Sequence, residues 1–324
     1  MTTPLPSLAA WIDGVALIAP GLPDWSLARA VLRGEQPYQP APSELPAPSV
    51  LPPAERRRAS RVVKLALALG LAACADAQVD AATLATVFTA SGADGHNCHA
   101  LCEQLAGDDR QISPTRFHNS VHNAPAGYWS IATHAMAPSN VLCAHDGSFA
   151  AGLLDSLCQI AVDAIPTLLI AYDSEYPEPL HAARPVRDTF AVALVLAPQA
   201  STRTLARIDV ELTNAVATPL SNTQLETLRR GNPAARALPL LEAAIASCPA
   251  QVTRHEICGD VANVRLAALA DSLGWTASVP NHVFRVNAEV AAAWPADDAR
   301  VRAPRLDDFD DVEPLHLAEF PDTY

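Results

Sequence analysis

The spacing of apolar residues divides most of the chain into buried strands and helices. Short apolar runs that are rich in β-branched residues and bounded by turn residues are typical of buried strands. Such runs occur at Trp11–Ala19, Thr83–Thr89, Ser139–Ala144, Thr167–Tyr172 and Thr189–Ala197, and Ala206–Leu212 alternates like an edge strand. Because helical segments separate these runs, the pattern predicts an α/β protein with a layered sheet.

Longer segments with apolar residues at helical spacing lie between the predicted strands. They cover residues 23–34, 54–74, 96–105, 116–136 and 148–163. The segment 54–74 is apolar over most of its circumference after its charged first turns, so we expect it to pack inside the protein against a sheet. A proline-rich segment, 36–53, has no helical or strand period and is expected to form an extended surface connection.

The C-terminal part of the chain differs in composition. From Ala288 to Tyr324 acidic residues are frequent and periodic apolar content is low, which is typical of solvated and flexible segments. The sequence therefore predicts one domain over residues 1–270 and an acidic, poorly ordered tail over residues 271–324.

Charge and cysteine content narrow the class of protein. A formal net charge of -13 argues against a nucleic-acid partner, because phosphate backbones are held by clustered Lys and Arg. The single basic run, Glu55–Arg61, is interpreted as the solvated face of a helix. The longest apolar stretch, Leu65–Cys74, is far shorter than the ~20 residues of a membrane span, and no signal-like segment opens the chain. Seven cysteines without a pairing framework suit a reducing compartment, so we expect a cytoplasmic protein.

The segment Ile112–Phe149 carries the candidate chemistry. It holds four of the ten histidines, and it ends in the turn His145-Asp146-Gly147-Ser148 between a predicted strand and a predicted helix. Such a turn often presents reactive side chains, because the N–H groups of the helix N-terminus favour developing negative charge. Asp146 is interpreted as the cap of that helix with His145 as its partner; a catalytic carboxylate is the alternative.

Cysteine and histidine supply two further candidates. Cys143 is a rival nucleophile, but its place inside a predicted strand implies a buried and inert thiol. Residues of zinc-ligating types occur at His96, Cys98, His99, Cys102, His118 and His122. Zinc could be held by such a set, but no Cys-x-x-Cys pair accompanies it. We therefore expect no metal and no other cofactor.

Several motifs resemble a known family. They are Leu51-Pro-Pro-Ala-Glu-Arg-Arg-Arg58, Ser91-Gly-Ala-Asp-Gly95, Ile112-Ser-Pro-Thr-Arg-Phe-His-Asn-Ser-Val-His-Asn-Ala-Pro-Ala-Gly-Tyr-Trp-Ser-Ile131 and Pro138-Ser139. From Ile12 to about Leu240 the chain resembles the ketosynthase-like chain-length factors of aryl-polyene and related pigment pathways, in the β-ketoacyl synthase group. The resemblance implies the N-terminal half of a layered thiolase-like fold, with a mixed sheet flanked by helices.

The chain departs from the catalytic members of that group at two places. Counting from Pro138-Ser139 as in the family, the position of the cysteine nucleophile holds Asp146. A carboxylate would have to form a high-energy mixed anhydride, whereas a thiolate exchanges acyl groups between thioesters at nearly equal energy. The family's glycine-rich histidine segment has only a weak counterpart here, Asn281–Asn287, which lacks the glycines. The resemblance therefore implies a subunit that does not condense acyl units by itself.

The resemblance also assigns roles to two groups of side chains. His96, Cys98 and His99 fall where synthases of this group use side-chain bulk to limit chain length; ordinary interface residues are the alternative. The subunit interface is assigned to Arg116, Phe117, His118, Asn119, His122, Asn123, Tyr128 and Trp129. Among these, the histidines and asparagines are expected to satisfy one another in a polar network.

The function implied is that of a non-catalytic subunit. It would pair with an active ketosynthase and shape the tunnel that receives an acyl chain bound to an acyl carrier protein. Two alternatives remain open: a free-standing acyltransferase or hydrolase that uses Cys143 or Asp146, and a zinc-bearing scaffold.

Overall fold

The computed structural model describes residues 8–45, 49–108, 110–210 and 217–246, and within them a sheet of six strands is flanked by helices. The strands are β1 (Leu8–Ile18), β2 (Ala85–Thr89), β3 (Ser139–Leu142), β4 (Thr167–Asp173), β5 (Phe190–Ala197) and β6 (Ala206–Val210). The helices are α1 (Trp25–Leu32), α2 (Pro53–Arg58), α3 (Arg61–Ala77), α4 (Gly95–Ala106), α5 (Pro114–His118), α6 (Ala124–Thr133), α7 (Ser148–Asp163), α8 (Leu180–Ala183), α9 (Thr223–Gly231) and α10 (Leu238–Ala246). Short 3₁₀ turns lie at Ala81–Thr83, His145–Gly147 and Ala234–Ala237.

The strands are ordered β3-β2-β4-β5-β1-β6. Strands β3, β2 and β4 are parallel, and β5, β1 and β6 pair antiparallel to their neighbours. The α/β sheet predicted from the apolar pattern and the mixed sheet implied by the resemblance are therefore confirmed, and Ala206–Val210 is an edge strand of the described sheet, as expected. The parallel strands are joined by helical crossovers, so their carboxyl ends meet at one edge of the sheet.

Both faces of the sheet are buried. Along β4, Leu168 and Ile170 pack into a core with α3 and α6, whereas Leu169 packs into a second core with α7 and α10. Successive side chains of a strand point to opposite faces, so alternate residues of the apolar run 167–172 pack into the two cores. This explains why its sequence is continuously apolar rather than alternating.

Helix α3 packs closely on the sheet because Gly70 has no side chain. A Cβ atom at Gly70 would collide with the indole ring of Trp129 and would lie 2.8 Å from Ile170 Cδ1. Trp129 itself is 1% exposed and meets Phe88 edge to face, with ring centroids 6.3 Å apart. The α3–α6 contact thus depends on a small residue facing a large one.

Two predicted helices are each divided in the structure. The segment 116–136 forms α5 and α6 with a turn between them, and 54–74 forms α2 and α3, separated at Ala59, whose ψ of 122° is not helical. Pro125 accounts for the first break, because proline lacks the N–H that a helix interior needs and fits only its first turn. The single-helix prediction for 116–136 was therefore wrong.

Some predictions fall outside the described residues. The acidic tail at 271–324, the boundary at residue 270, Asn281–Asn287, Cys248 and Cys258 all lie there. Where the proline-rich segment 36–53 is described, it has neither helix nor strand until α2 begins at Pro53. No helix within the described ranges is long and apolar enough to cross a membrane.

Candidate functional site

A polar cluster lies beyond the carboxyl ends of the three parallel strands. Ser91 follows β2, residues 143–147 follow β3, and Asp173 ends β4. We name residues 143–147 the β3–α7 turn. Ligands of α/β proteins bind preferentially at this end of a sheet, so the cluster is the candidate functional site.

Ser148 fixes the shape of the β3–α7 turn. Its Oγ accepts a hydrogen bond from Ala144 N at 3.0 Å and lies 3.1 Å from Ala90 O and 2.7 Å from His145 O. The residue with left-handed backbone is His145, at φ 50°, which is unfavourable for a residue with a Cβ. The strained position of the turn is therefore His145, one residue before the nucleophile position assigned to Asp146 from the resemblance. Neither residue carries a thiol.

Asp146 does not cap helix α7, contrary to the expectation. The N-cap residue is Gly147 and no side chain bonds to the helix there. The Asp146 carboxylate instead lies 2.8 Å from Arg184 Nη2 and 3.3 Å from Arg236 Nη2. Hydrogen bonds between a guanidinium group and a carboxylate are charge-assisted and strong, and the Asp146 side chain faces the arginines. His145 bonds through Nε2 to Arg184 Nη1, so it is a partner of the ion pair and not of a cap.

Asp173 ties the ends of two strands to a distant turn. Its carboxylate accepts hydrogen bonds from Ser91 N at 2.9 Å, Ser91 Oγ at 2.6 Å and Ala234 N at 3.1 Å. Burial raises the pKa of Asp173 to about 6, although these hydrogen bonds and the nearby Arg184 charge act in the opposite direction. Desolvation therefore outweighs the favourable contacts of the charged form.

The titration of Asp173 predicts a pH dependence of stability. Because its pKa is higher in the folded chain than the ordinary 3.8, the folded state binds the proton more tightly than the unfolded state. This contribution is fully present below about pH 4 and is lost as pH rises through about 6, which amounts to roughly 2 to 3 kcal/mol. We expect the free energy of unfolding in urea to fall by this amount, relative to that of Asp173→Asn, between pH 4 and 7.

Asp173→Asn is the reference because it removes the titration and leaves the other groups in place. The variant should be less stable overall. Asparagine replaces one of the two accepting oxygens by an amide nitrogen, which cannot accept a hydrogen bond. A difference between wild type and variant that stays constant with pH, or grows as pH rises, would contradict the prediction.

Tyr176 closes one side of the cluster. Its ring packs where Gly92 and Gly95 leave room, since a Cβ at either glycine would collide with it. Its hydroxyl bonds to the Ser91 and Arg184 side chains, and burial raises its pKa. In the sequence, the Ser91–Gly95 motif contributed only to the family resemblance; in the structure, its glycines accommodate an aromatic ring.

The sequence interpretation missed Asp173, Tyr176, Arg184 and Arg236. Asp173 had a usable signal, because a carboxylate directly after a buried strand lies at the edge where sites form. The arginines gave no signal: Arg184 and Asp146 are 38 positions apart, and nothing local relates them.

Cys143 is not buried in a strand, contrary to the expectation. Strand β3 ends at Leu142, and Cys143 is exposed as the first residue of the β3–α7 turn. Its Sγ donates a hydrogen bond to Ser91 O at 3.2 Å. The expected protection of this thiol by burial is therefore absent.

The proposed chain-length residues lie on the first turns of α4 but have different surroundings. His96 Nε2 lies 3.5 Å from Glu175, and His99 Nε2 lies 3.3 Å from Glu103. Cys98 is exposed and contacts Cys102 one turn later. No group of three or more possible metal ligands is gathered within the described ranges.

The assigned interface residues divide into buried and exposed ones. Asn119, Tyr128 and Trp129 are buried inside this chain, so they belong to its core and cannot contact a partner directly. Phe117, in contrast, is 65% exposed. The remaining assigned residues, Arg116, His118, His122 and Asn123, are neither fully buried nor part of the apolar core.

The expected polar network does not form among the histidines and asparagines. Asn119 Nδ2 donates to Arg58 O at 2.7 Å, and His118 meets Tyr128 edge to face at 5.9 Å. Burial lowers the pKa of His122, and its Nε2 has no hydrogen-bond partner in the described part of the chain. Asn119 therefore links α5 to α2 within the chain.

Exposed apolar side chains are concentrated in one part of the structure. Of the seven large apolar side chains that are exposed among the described residues, four lie between residues 117 and 136: Phe117, Val121, Ile131 and Met136. We name this the 117–136 apolar segment. It includes parts of α5 and α6 and precedes β3, which is an edge strand of the described sheet. Concentrated exposed apolar residues are typical of protein interaction sites.

Comparison with known proteins gives a family match and structural matches. A family model described as β-ketoacyl synthase, N-terminal domain, matches residues 32–255. A chain in the complex of the ketosynthase ApeO with its chain length factor ApeC from Xenorhabdus doucetiae is 25% identical, with a TM-score of 0.55. The match covers 74% of this chain and 92% of that one.

Two further solved structures are more distant. A β-ketoacyl synthase from Burkholderia phymatum is 14% identical, with a TM-score of 0.45 and 58% of each chain covered. The ishigamide ketosynthase/chain length factor is 15% identical, with a TM-score of 0.48, 60% of this chain and 63% of that one. A search of curated protein sequences gave no match.

Proposed function

This chain belongs to the β-ketoacyl synthase family, and we propose that within it the chain is a non-catalytic subunit, a chain-length factor that pairs with an active ketosynthase. The described residues form the N-terminal half of the thiolase-like ketosynthase fold. The active partner would supply the cysteine and the histidines for condensation.

The observation that carries this proposal is the content of the β3–α7 turn. The turn that presents the nucleophile in catalytic relatives holds His145 and Asp146, and Asp146 is paired with Arg184 and Arg236. Both oxygens of this carboxylate are already in contact with guanidinium groups, which makes it a weak nucleophile. Its acyl product would be a mixed anhydride, far higher in energy than a thioester.

The extent of the match to the ApeO–ApeC complex supports the same assignment. Since 92% of the matched chain is covered by 74% of this one, the matched chain consists of little more than this domain. By the resemblance described above, a complete ketosynthase also needs histidines from a second half. The described residues form the first half, and we propose that a partner supplies these histidines.

The 117–136 apolar segment supports pairing with another protein. Phe117, Ile131 and Met136 are exposed at 65%, 46% and 93%, and the fully buried centre of an interface is rich in such side chains. The segment lies beside β3, an edge strand of the described sheet in which Ser139 and Asn140 are exposed. An open strand edge offers unpaired N–H and C=O groups to a partner. We propose that the ketosynthase binds here.

The substrate and location follow from the resemblance. We propose that the growing chain is a polyene of the aryl-polyene type, delivered on an acyl carrier protein, and that His96, Cys98 and His99 on α4 limit its length in the cytoplasm. Discrimination by such bulk is coarse, since one methylene in an apolar pocket is worth about 1 to 3 kcal/mol.

The test is co-expression with an active ketosynthase of the same pathway. We expect a one-to-one complex by size exclusion and mass, and elongation that requires both chains. Elongation per mole of complex should vanish when the partner's catalytic cysteine is replaced and should survive Asp146→Ala and Cys143→Ala. A lone chain that elongates, or a complex that still elongates without the partner's cysteine, would overturn the proposal.

A second candidate function is supported by Cys143, whose thiol is exposed beside the site. In that case the chain alone would be an acyltransferase or hydrolase with Cys143 as nucleophile. It would turn over acyl thioesters without a partner, and iodoacetamide would label Cys143 faster than Cys158, an exposed cysteine of α7. Equal labelling and no turnover would exclude this function.

A further inference from the structure

Two arginines from separate segments converge on one carboxylate. Arg184, which follows α8, donates from Nη2 to Asp146 Oδ1 at 2.8 Å. Arg236, in the 3₁₀ turn Ala234–Ala237, places its Nη2 3.3 Å from Asp146 Oδ2. Each guanidinium group therefore contacts a different oxygen of the Asp146 carboxylate.

The site is largely shielded from water. The side chains of Arg184, Arg236 and Asp146 are 22%, 13% and 19% exposed. Charges in such a place need partners, because little water remains to solvate them. Removing one member of a buried ion pair leaves the other uncompensated, which is more costly than the pair itself is favourable.

Asp146 is the carboxylate that the two guanidinium groups share. The other carboxyl group that acts on Arg184 is Asp173, which is fully engaged with Ser91 and Ala234. The other contacts of Arg184 are neutral or basic: the Tyr176 hydroxyl and His145 Nε2. Removing the Asp146 side chain therefore takes away the anion on which both guanidinium groups converge.

We propose that Arg184 and Arg236 form a carboxylate-binding site that the chain fills with its own Asp146. In this arrangement Asp146 is a positioning residue, and it fixes the β3–α7 turn against the segments that follow α8 and α9. A small monocarboxylate such as formate or acetate takes the same place when the Asp146 side chain is removed. The inference concerns this chain alone and does not depend on its pairing with a ketosynthase.

The test is rescue of Asp146→Ala by formate. The variant should melt several degrees below wild type, and tens of millimolar sodium formate should restore much of the loss, with saturation. Sodium chloride at the same ionic strength should restore little. Wild type should not respond, because its site is filled.

The matched control is Asp155→Ala. Asp155 is also a carboxylate with two side-chain partners, but these are the amides of Asn140 at 3.0 Å and Gln159 at 2.8 Å. Formate should not rescue this variant, since it lacks a convergent pair of positive charges. Adding Arg184→Gln to Asp146→Ala should also abolish the response to formate.

These melting experiments distinguish a carboxylate-binding site at Arg184 and Arg236 from a general structural role of Asp146. No melting loss in Asp146→Ala, no rescue, or equal rescue of Asp155→Ala would overturn the proposal. If Asp146→Ala does not fold, Asp146→Gly is refolded in formate and in chloride instead. Recovery of no more folded protein in formate than in chloride would also overturn the proposal. Asp146→Asn, which fills the space without the charge, should melt below wild type and should not respond to formate.

Discussion

Replacing Phe117 and Ile131 together by aspartate is expected to abolish the complex with the active ketosynthase while leaving this chain folded. Both side chains are exposed, at 65% and 46%, so aspartate costs little in the free chain. In an interface, each substitution removes an apolar contact and buries an unpaired charge. A central apolar contact is worth about 2 kcal/mol or more, so we expect affinity to fall at least ~100-fold.

Val162→Asp provides the matched control for this prediction. Val162 is a large apolar residue that is 81% exposed, and it lies on α7, in the helical layer on the opposite face of the sheet from α6. Titration calorimetry should give wild-type affinity for Val162→Asp, and circular dichroism should give wild-type spectra for both variants. Unchanged affinity in the double variant, or equal loss in Val162→Asp, would place the interface elsewhere.

Trp129→Ala is expected to destabilise the chain by about 3 to 5 kcal/mol, as is usual for loss of a buried aromatic side chain. Trp129 is 1% exposed, packs over Gly70 of α3 and meets Phe88 of β2. Its removal leaves a cavity between α3, α6 and the sheet, which rigid neighbours cannot close. Urea unfolding of the full chain measures the loss.

Ile131→Ala is the control on the same helix. Ile131 is 46% exposed, and surface substitutions of this kind change stability by only about 0.5 kcal/mol. If Trp129→Ala cost no more than Ile131→Ala in the isolated chain, Trp129 would not have the core role that its burial implies. A large loss supports the reassignment of Trp129 from the subunit interface to the core.

The family assignment from sequence is confirmed by the match over residues 32–255. The long motif from Ile112 to Ile131 made this possible, because it is specific and locally readable. The same motif was misinterpreted at the level of single side chains: Tyr128 and Trp129 are core residues, and Asn119 bonds to the backbone of Arg58. A motif identifies a family without revealing which way each side chain points.

Helix boundaries were predictable only where local rules decided them. Helix α7 begins at Ser148 and ends at Asp163 as predicted, because its apolar spacing and its flanking turns agree. The break before α6 followed from Pro125, a local signal that the single-helix interpretation of 116–136 overlooked. The strand β3 was predicted two residues too long, which placed Cys143 in the core instead of on the surface.

The sequence by itself determined the layered α/β sheet, the family and the absence of a cysteine at position 146. Each depends on residue identity or short-range periodicity, which the chain displays directly. Only the tertiary structure decided that Asp146 pairs with Arg184 and Arg236 and that burial raises the pKa of Asp173 to about 6. Ion pairs and desolvation depend on which distant segments the fold brings together, and no local pattern records that.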